Sequence, residues 1–260
     1  MQERRKPSAA GRGFSLIEVL VAISIIALLI SIMIPALSKA RDAGRAAMCL
    51  SNQRQLGIAM NLYANSNNGF VPREGVDNVS RERPPWAVAL RPYIDSNISP
   101  DEEPNDRFAG APFFRDPSRK PDAHVIHYVT NAIPFRKVGT ERVPDATAGI
   151  NWRKRRGPTM IDRVINPSGV VYLTDYFDDP NGYHAASIYV GSAPTDMQIA
   201  QWYDLWLAGH VNGGPHVRRM EPRRHGTGCN ALFFDGHAST VTATDVKDLK
   251  LWDDGLTLTR

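Results

Sequence analysis

The sequence predicts an α+β protein in which one long N-terminal helix, transmembrane in its first half and amphipathic in its second, packs on a C-terminal antiparallel β-sheet head. Three observations carry this expectation. An almost purely apolar stretch of 19 residues runs from Val19 to Leu37, close to the ~20 that cross a bilayer as a helix. Helix-forming residues then continue from 36 to 66 with no proline after Pro35. Beyond about residue 125, short segments at 127–132, 170–174, 187–190, 230–234 and 238–241 are rich in branched and aromatic residues and read as strands.

The first element opens at a junction. Residues 1–13 form a short basic leader with Arg4, Arg5, Lys6 and Arg12, ending in Gly13, and Phe14 begins the apolar segment. Glu18 lies inside that segment, where an ionisable side chain costs roughly 2.5–3.5 kcal/mol on insertion scales and so marks a functional site with a partner to be found. A secretory signal cleaved at Ala36-Leu37-Ser38 and a plain signal anchor are the competing readings. The stretch is longer than the ~7–15 residues of a signal-peptide core, and neither reading accounts for Glu18 or the Gly13-Phe14 junction. Cations on the two sides of the span nearly balance, Lys39, Arg41 and Arg45 following it, so charge alone leaves the orientation open.

The second half of the helix carries an apolar stripe at three- and four-residue steps: Ala36, Ala40, Ala43, Ala47 and Leu50, then Leu56, Met60 and Tyr63. Such a stripe needs a sheet to cover it. Asn65-Ser66-Asn67-Asn68-Gly69 supplies residues suited to a left-handed cap, with Pro72 just beyond. From Phe14 to Ser66 the helix counts 53 residues, a rod of roughly 80 Å with about 30 Å in lipid. Pro35 removes one backbone hydrogen bond, and a kink is expected there.

The remaining elements follow from local punctuation. Residues 70–125 are dense in proline and charge and read as loops around a short helix, Trp86–Leu90, ending near Pro92-Tyr93. Thr195-Asp196-Met197-Gln198 is a capping box, predicting a helix through Trp202 and Trp206 that Gly209 closes. Asp235-Gly236 between two apolar runs predicts a two-residue hairpin turn.

Composition excludes several classes. The formal charge is +4, but residues 1–13 hold four cations against Glu3, so the chain beyond them is near +1 and gives no ground for a nucleic-acid partner. Arg153-Lys154-Arg155-Arg156, with Arg218-Arg219 and Arg223-Arg224, forms either a solvated surface or a polyanion-binding face. There is no G-x-S-x-G elbow, H-E-x-x-H helix, Walker loop or C-x-x-C pair, so the chain reads as a non-enzyme. The two cysteines, Cys49 and Cys229, are either a disulfide between helix and sheet or two buried thiols.

Gly13, Phe14, Glu18 at the fifth position from Phe14, and Pro35 at the twenty-second agree in one register with the N-terminal signal of type IV pilins and type II secretion pseudopilins, which the chain resembles. A second resemblance lies at the other end. His225, nine intervening residues and Asp235-Gly236 form an H-x9-DG element found in a bacterial group of prepilin-like proteins. Cys49 to Pro72, with Asn52, Gln55-Leu56-Gly57 and Tyr63-Ala64-Asn65, and Trp86 to Tyr93 extend the likeness. The chain departs from that group at Asp116-Pro117-Ser118, where many relatives have a cysteine in place of Asp116, so a disulfide made by that cysteine is absent.

The resemblance implies a leader at 1–13 cleaved after Gly13 by prepilin peptidase, methylation of Phe14, a membrane half of the helix at 14–37, an extracytoplasmic half at 38–68 and a head at 69–260 containing the element at 225–236. It implies a pseudopilin or pilin-like structural subunit of a type II secretion or type IV pilus-like filament. The subunit would be single-pass in the bacterial inner membrane with its head outside, and would become part of a periplasmic or cell-surface filament after assembly. Implied partners are copies of itself, related subunits, the peptidase and an inner-membrane assembly platform. Glu18 would pair with the Phe14 amine of a neighbouring subunit, two opposite charges that relieve each other's desolvation in lipid. The alternative is a membrane-tethered extracytoplasmic binding protein that never polymerises.

No cofactor is expected. The H-x9-DG residues His225, Asp235 and Gly236 read first as a structural turn. Two metal arrangements are weighed beside it: zinc on His225, Asp235 and His237 with Asp175, and calcium on Asp175, Asp178, Asp179 and Asn181.

Overall fold

The computed structural model describes residues 15–73, 84–95, 108, 111–119, 124–146, 158–178, 203–214 and 217–256. The chain divides into two compact units, Met1–Asp42 and Ala43–Arg260. Helix α1, Leu16–Ser66, begins in the first and ends in the second, and Pro35 lies inside its span.

In the first unit the side chains of α1 have no protein cover: Leu16 through Leu37 are exposed along their whole length. Among the described residues, α1 is the one helix long and apolar enough to cross a membrane. In the second unit α1 buries Cys49, Gln53, Leu56, Gly57, Ala59, Met60 and Ala64. The steps of three and four place these on one face. The predicted stripe is right at Leu56 and Met60 and wrong earlier, since Ala36, Ala40, Ala43 and Ala47 are exposed. Alanine and leucine define helix formation without defining which side meets the sheet, and the polar Gln53 sits in the buried row.

The helix stops as its asparagine and glycine content dictates. Asn68 (φ 52) and Gly69 (φ 79) are left-handed, and the Gly69 amide donates to Ala64 O at 2.8 Å, closing the last turn. Strand β1, Phe70–Val71, pairs antiparallel with β5, Thr159–Met160. Helix α2, Trp86–Leu90, runs into a 3-10 turn at Arg91–Tyr93, as Pro92 requires.

The main sheet has five strands. Sequential strands β2 (Tyr128–Asn131), β6 (Val171–Asp175), β7 (Asp204–Leu205), β8 (Gly228–Phe233) and β9 (Ala238–Thr242) stand in the order β7-β2-β6-β8-β9. Strand β6 is central and buried at every residue. The pairings β2–β6, β6–β8 and β8–β9 are antiparallel. The expected antiparallel sheet is present, with a parallel β2–β7 pair added at its edge.

The same strand overturns the predicted helix through Trp206. Residues 195–202 lie outside the described residues, but Asp204–Leu205 is extended because its backbone completes the β2 edge: Thr130 N donates to Tyr203 O and Ala132 N to Leu205 O, at 3.1 and 2.8 Å. Gly209 does not close a helix; it lies inside α3, Ala208–Asn212. The predicted strand at 187–190 also falls outside the described residues. A hairpin of β3 (Phe135–Val138) and β4 (Glu141–Pro144) was not anticipated, because apart from Phe135 its first strand is exposed and shows no core-facing pattern. Gly139 (φ 62) turns it.

The turn after β8 also differs from expectation. Asp235-Gly236 belongs to a three-residue loop, 234–236, rather than a two-residue one: Gly236 N donates to Phe233 O at 3.0 Å and Phe233 N to His237 O at 2.9 Å. Gly236 supplies the left-handed residue (φ 88).

That loop sits directly against α1. A Cβ added at Gly57 would lie 2.7 Å from the carbonyl oxygen of Gly236 and 2.8 Å from Leu232 Cδ1. Gly57→Ala gains about 1 kcal/mol of helix propensity, but overpacking against a fixed backbone oxygen costs about 1–3 kcal/mol. The net is a loss of up to about 2 kcal/mol, read as a lower denaturant midpoint of the detergent-solubilised chain; a raised midpoint would refute the close approach.

Candidate functional site

Two arrangements carry potential function, one at the start of α1 and one inside the head. At the start of α1, Ser15 and Glu18 form a reciprocal capping box. The Ser15 amide donates to Glu18 Oε2 at 2.8 Å and the Glu18 amide to Ser15 Oγ at 3.2 Å. Ser-x-x-Glu before an apolar run is a legible helix-start signal, and it gives Glu18 a local role beside the one the resemblance implies. Gly13 and Phe14 lie outside the described residues.

The second arrangement gathers four separate chain segments. Cys49 and Gln53 are one turn apart on the buried face of α1. Asp116 follows the 3-10 turn Pro112–Phe114, which α1 holds through Asn52: its Nδ2 donates to Pro112 O and Arg115 O at 3.2 and 2.9 Å. Asp175 ends the central strand β6 and is fully buried. His225 ends the turn before β8. That turn is drawn to the end of β6 by Glu221 N donating to Asp175 O at 3.0 Å and by the bridge between Tyr176 and Met220.

One ligand-type atom from each of Cys49, Asp116, Asp175 and His225 lies within 4.8 Å of the others. Asp175 Oδ1 accepts from Cys49 Sγ at 3.3 Å and Gln53 Nε2 at 3.1 Å, and its Oδ2 accepts from the Asn230 amide at 2.9 Å. His225 Nε2 stands 3.3 Å from Asp175 Oδ2 without a hydrogen bond, and its Nδ1 is 3.3 Å from Ser118 Oγ. Asp116 Oδ1 accepts from the Ser118 amide at 2.8 Å. Its Oδ2 makes no hydrogen bond and has Arg224 Nε 3.2 Å away. Arg224 also pairs with Asp178 at 2.6 Å.

Burial and crowded charge set the electrostatics. Burial, reinforced by the charge of Asp175, raises the Asp116 carboxyl above its ordinary range, opposed by Ser118, Arg224 and His225. Burial pulls the His225 imidazole down, but the close Asp175 and Asp116 carboxylates overcome it and the net shift is upward. Burial pushes the Cys49 thiol well up, and Asp175 and Asp116 add to it.

The residues expected from sequence are only partly brought together. His225 and Asp175 meet, joined by Cys49 and Asp116 rather than by Asp235 and His237. Those two pair with each other at 2.6 Å on the surface, where the His237 ring stacks on Phe233. The proposed calcium loop is not assembled either: Asp175 points into the cluster, Asp178 is taken by Arg224, and Asp179 and Asn181 lie outside the described residues. Of the basic run, 153–156 lies outside the described residues, and Arg218, Arg219 and Arg224 are engaged by Glu221, Asp204 and Asp116 with Asp178. Asp116, the residue that departs from the prepilin-like group, has its ligand atom within 4.8 Å of that of Cys49.

Cys49 and Cys229 are free and buried, so the disulfide is not formed. Cys229 Sγ accepts from Thr174 Oγ1 at 3.5 Å, and burial pushes its thiol up to about 12. At pH 8 both thiols are therefore protonated and shielded. A thiol reagent is expected to modify neither within minutes in the native chain and both of the two in denaturant; rapid reaction of either in the native chain would contradict this packing.

Residues 10–34 match the family described as Prokaryotic N-terminal methylation motif, and residues 38–110 match the family described as Protein of unknown function (DUF1559). Neither description names a catalytic activity. No curated protein and no solved structure matches the chain.

Proposed function

We propose that this pilin-like chain, which carries the prepilin-type methylation motif, is a structural subunit cut after Gly13, methylated at Phe14 and assembled into a type II secretion or type IV pilus-like filament. The carrying observation is the match over residues 10–34 joined to a helix whose side chains from Leu16 to Leu37 are all exposed. An apolar helix surface of this length needs lipid before assembly and other subunits after it. Membrane insertion with the leader inside places residues 38–260 outside the inner membrane. Prepilin peptidase, copies of the chain and an assembly platform are the partners of this cycle.

Glu18 is the residue on which assembly turns in this reading. Once Phe14 becomes the N-terminus, its amine is a positive charge at the lipid boundary, and a carboxylate from a neighbouring subunit lowers the cost of drawing it into the bundle. The capping box offers a second use of the same side chain, and the two are separable. Glutamine at this position keeps the capping geometry and removes the charge.

Intact mass and N-terminal sequencing of chain recovered from its membrane or from sheared surface material should show methylated Phe14 as the first residue. An uncut Met1 or a start near Lys39 would refute the processing. Glu18→Gln is expected to be cleaved normally and to fall at least tenfold in filament incorporation, measured by immunoblotting sheared fractions. Wild-type incorporation of Glu18→Gln would mean that the residue serves only as a cap.

A further inference from the structure

We propose that Cys49, Asp116, Asp175 and His225 form a tetrahedral site in the head for one structural transition-metal ion, zinc being the ion that fits the donors. The proposal is independent of filament assembly and differs from the zinc and calcium sets considered from sequence.

The donors are one thiol, one imidazole and two carboxylates, a set that excludes calcium and magnesium, which take oxygen ligands. Soft sulfur with imidazole nitrogen favours zinc among abundant divalent ions. Four protein ligands fill a tetrahedron and leave no open position, which makes the site structural rather than catalytic.

The spacing is close to what the ion needs. Zinc bonds of 2.0–2.3 Å in a tetrahedron put ligand atoms about 3.3–3.8 Å apart. Cys49 Sγ lies 3.3 Å from Asp175 Oδ1 and His225 Nε2 lies 3.3 Å from Asp175 Oδ2, so one edge is already at ligand spacing whichever oxygen binds and the other closes by a turn of the carboxylate. The widest separation in the group is within 4.8 Å, so a contraction of about 1 Å closes it.

Two of the ligand atoms are buried without a hydrogen bond, each facing one charged neighbour: Asp116 Oδ2 has Arg224 Nε at 3.2 Å, and His225 Nε2 has Asp175 Oδ2 at 3.3 Å. Asp116 is 2% exposed and its Oδ2 forms no hydrogen bond, and His225 Nε2, on a side chain 3% exposed, forms none either. Buried polar atoms are nearly always hydrogen-bonded, and two in one cluster need a reason. A metal ion is a partner to which both atoms donate a lone pair once the His225 proton has left to solvent.

The surroundings also suit a metal centre. Ser118 Oγ lies 3.3 Å from His225 Nδ1, the Ser118 amide holds Asp116 Oδ1, and Gln53 with the Asn230 amide holds Asp175. Such outer partners orient ligands before the ion arrives. The Cys49 thiol proton leaves to solvent as the sulfur bonds the ion. One thiolate and two carboxylates are then balanced by the divalent ion together with Arg224, whose Nε is 3.2 Å from Asp116 Oδ2. Arg224 is shared with the partly exposed Asp178 at 2.6 Å.

The test uses the full chain in detergent, stripped with a chelator, dialysed and equilibrated with zinc or with cobalt(II). Elemental analysis should find about one zinc per chain, and Tm should rise by about 5–10 °C at a hundredfold excess over Kd. Cobalt(II) should give a thiolate-to-metal charge-transfer band that Cys49→Ser abolishes. Asp116→Asn and His225→Gln should each weaken zinc binding at least tenfold, while His237→Gln should leave it unchanged. Substoichiometric zinc, an unchanged Tm, or cobalt binding without the thiolate band would overturn the proposal in the wild-type chain, with no dependence on whether a variant folds. Loss of binding in His237→Gln would overturn it by placing the ion at the surface pair.

Discussion

A fully buried carboxylate at the end of the central strand organises the head. Asp175 cannot keep its charge away from water without donors, and the fold brings them from two directions: Gln53 and Cys49 from α1, and the Asn230 amide from β8. Cys49 and Gln53 reach the same carboxylate oxygen from one face of α1, so these two fix the rotation of α1 on the sheet, while the Asn230 amide holds the other oxygen from β8. Hydrophobic burial of Leu56 and Met60 favours contact but tolerates sliding; the carboxylate does not.

The H-x9-DG element gains a physical meaning from this geometry. His225 and Gly236 stand at opposite ends of β8, a six-residue strand of about 20 Å. One end brings an imidazole to Asp175, close to Cys49. The other brings a left-handed glycine to Gly57 on the next two turns of α1. Between them Asn230 Nδ2 donates to Ala46 O and its Oδ1 accepts from Thr240, tying helix, β8 and β9. The nine intervening residues are therefore the length of one strand and its flanking turns. The aspartate itself pairs with His237 at the surface, away from both contacts.

The N-terminal unit obeys a different constraint. Its helix is uncovered, and Glu18 meets only Ser15 within the described residues. Stability in the head comes from side chains that satisfy one another, whereas in this unit the helix pairs its own backbone and leaves its apolar side chains uncovered.

The sequence by itself determined the elements whose cause is local. The apolar run, the Asn/Gly stop at the end of α1, the short helix at Trp86, the strands around 128–131, 171–175, 228–233 and 238–242 and the N-terminal motif all follow from neighbours a few residues apart. Tertiary structure alone decided the rest. Extended Asp204–Leu205 exists because β2 had an open edge, Gln53 is buried because Asp175 needs a donor, and Cys49 stands beside Asp116, Asp175 and His225 although 67 to 176 residues separate it from them in sequence. No local pattern encodes such a meeting. It arises when a helix, a loop, a strand end and a turn are packed on one core, and buried polar groups find partners only after that packing is complete.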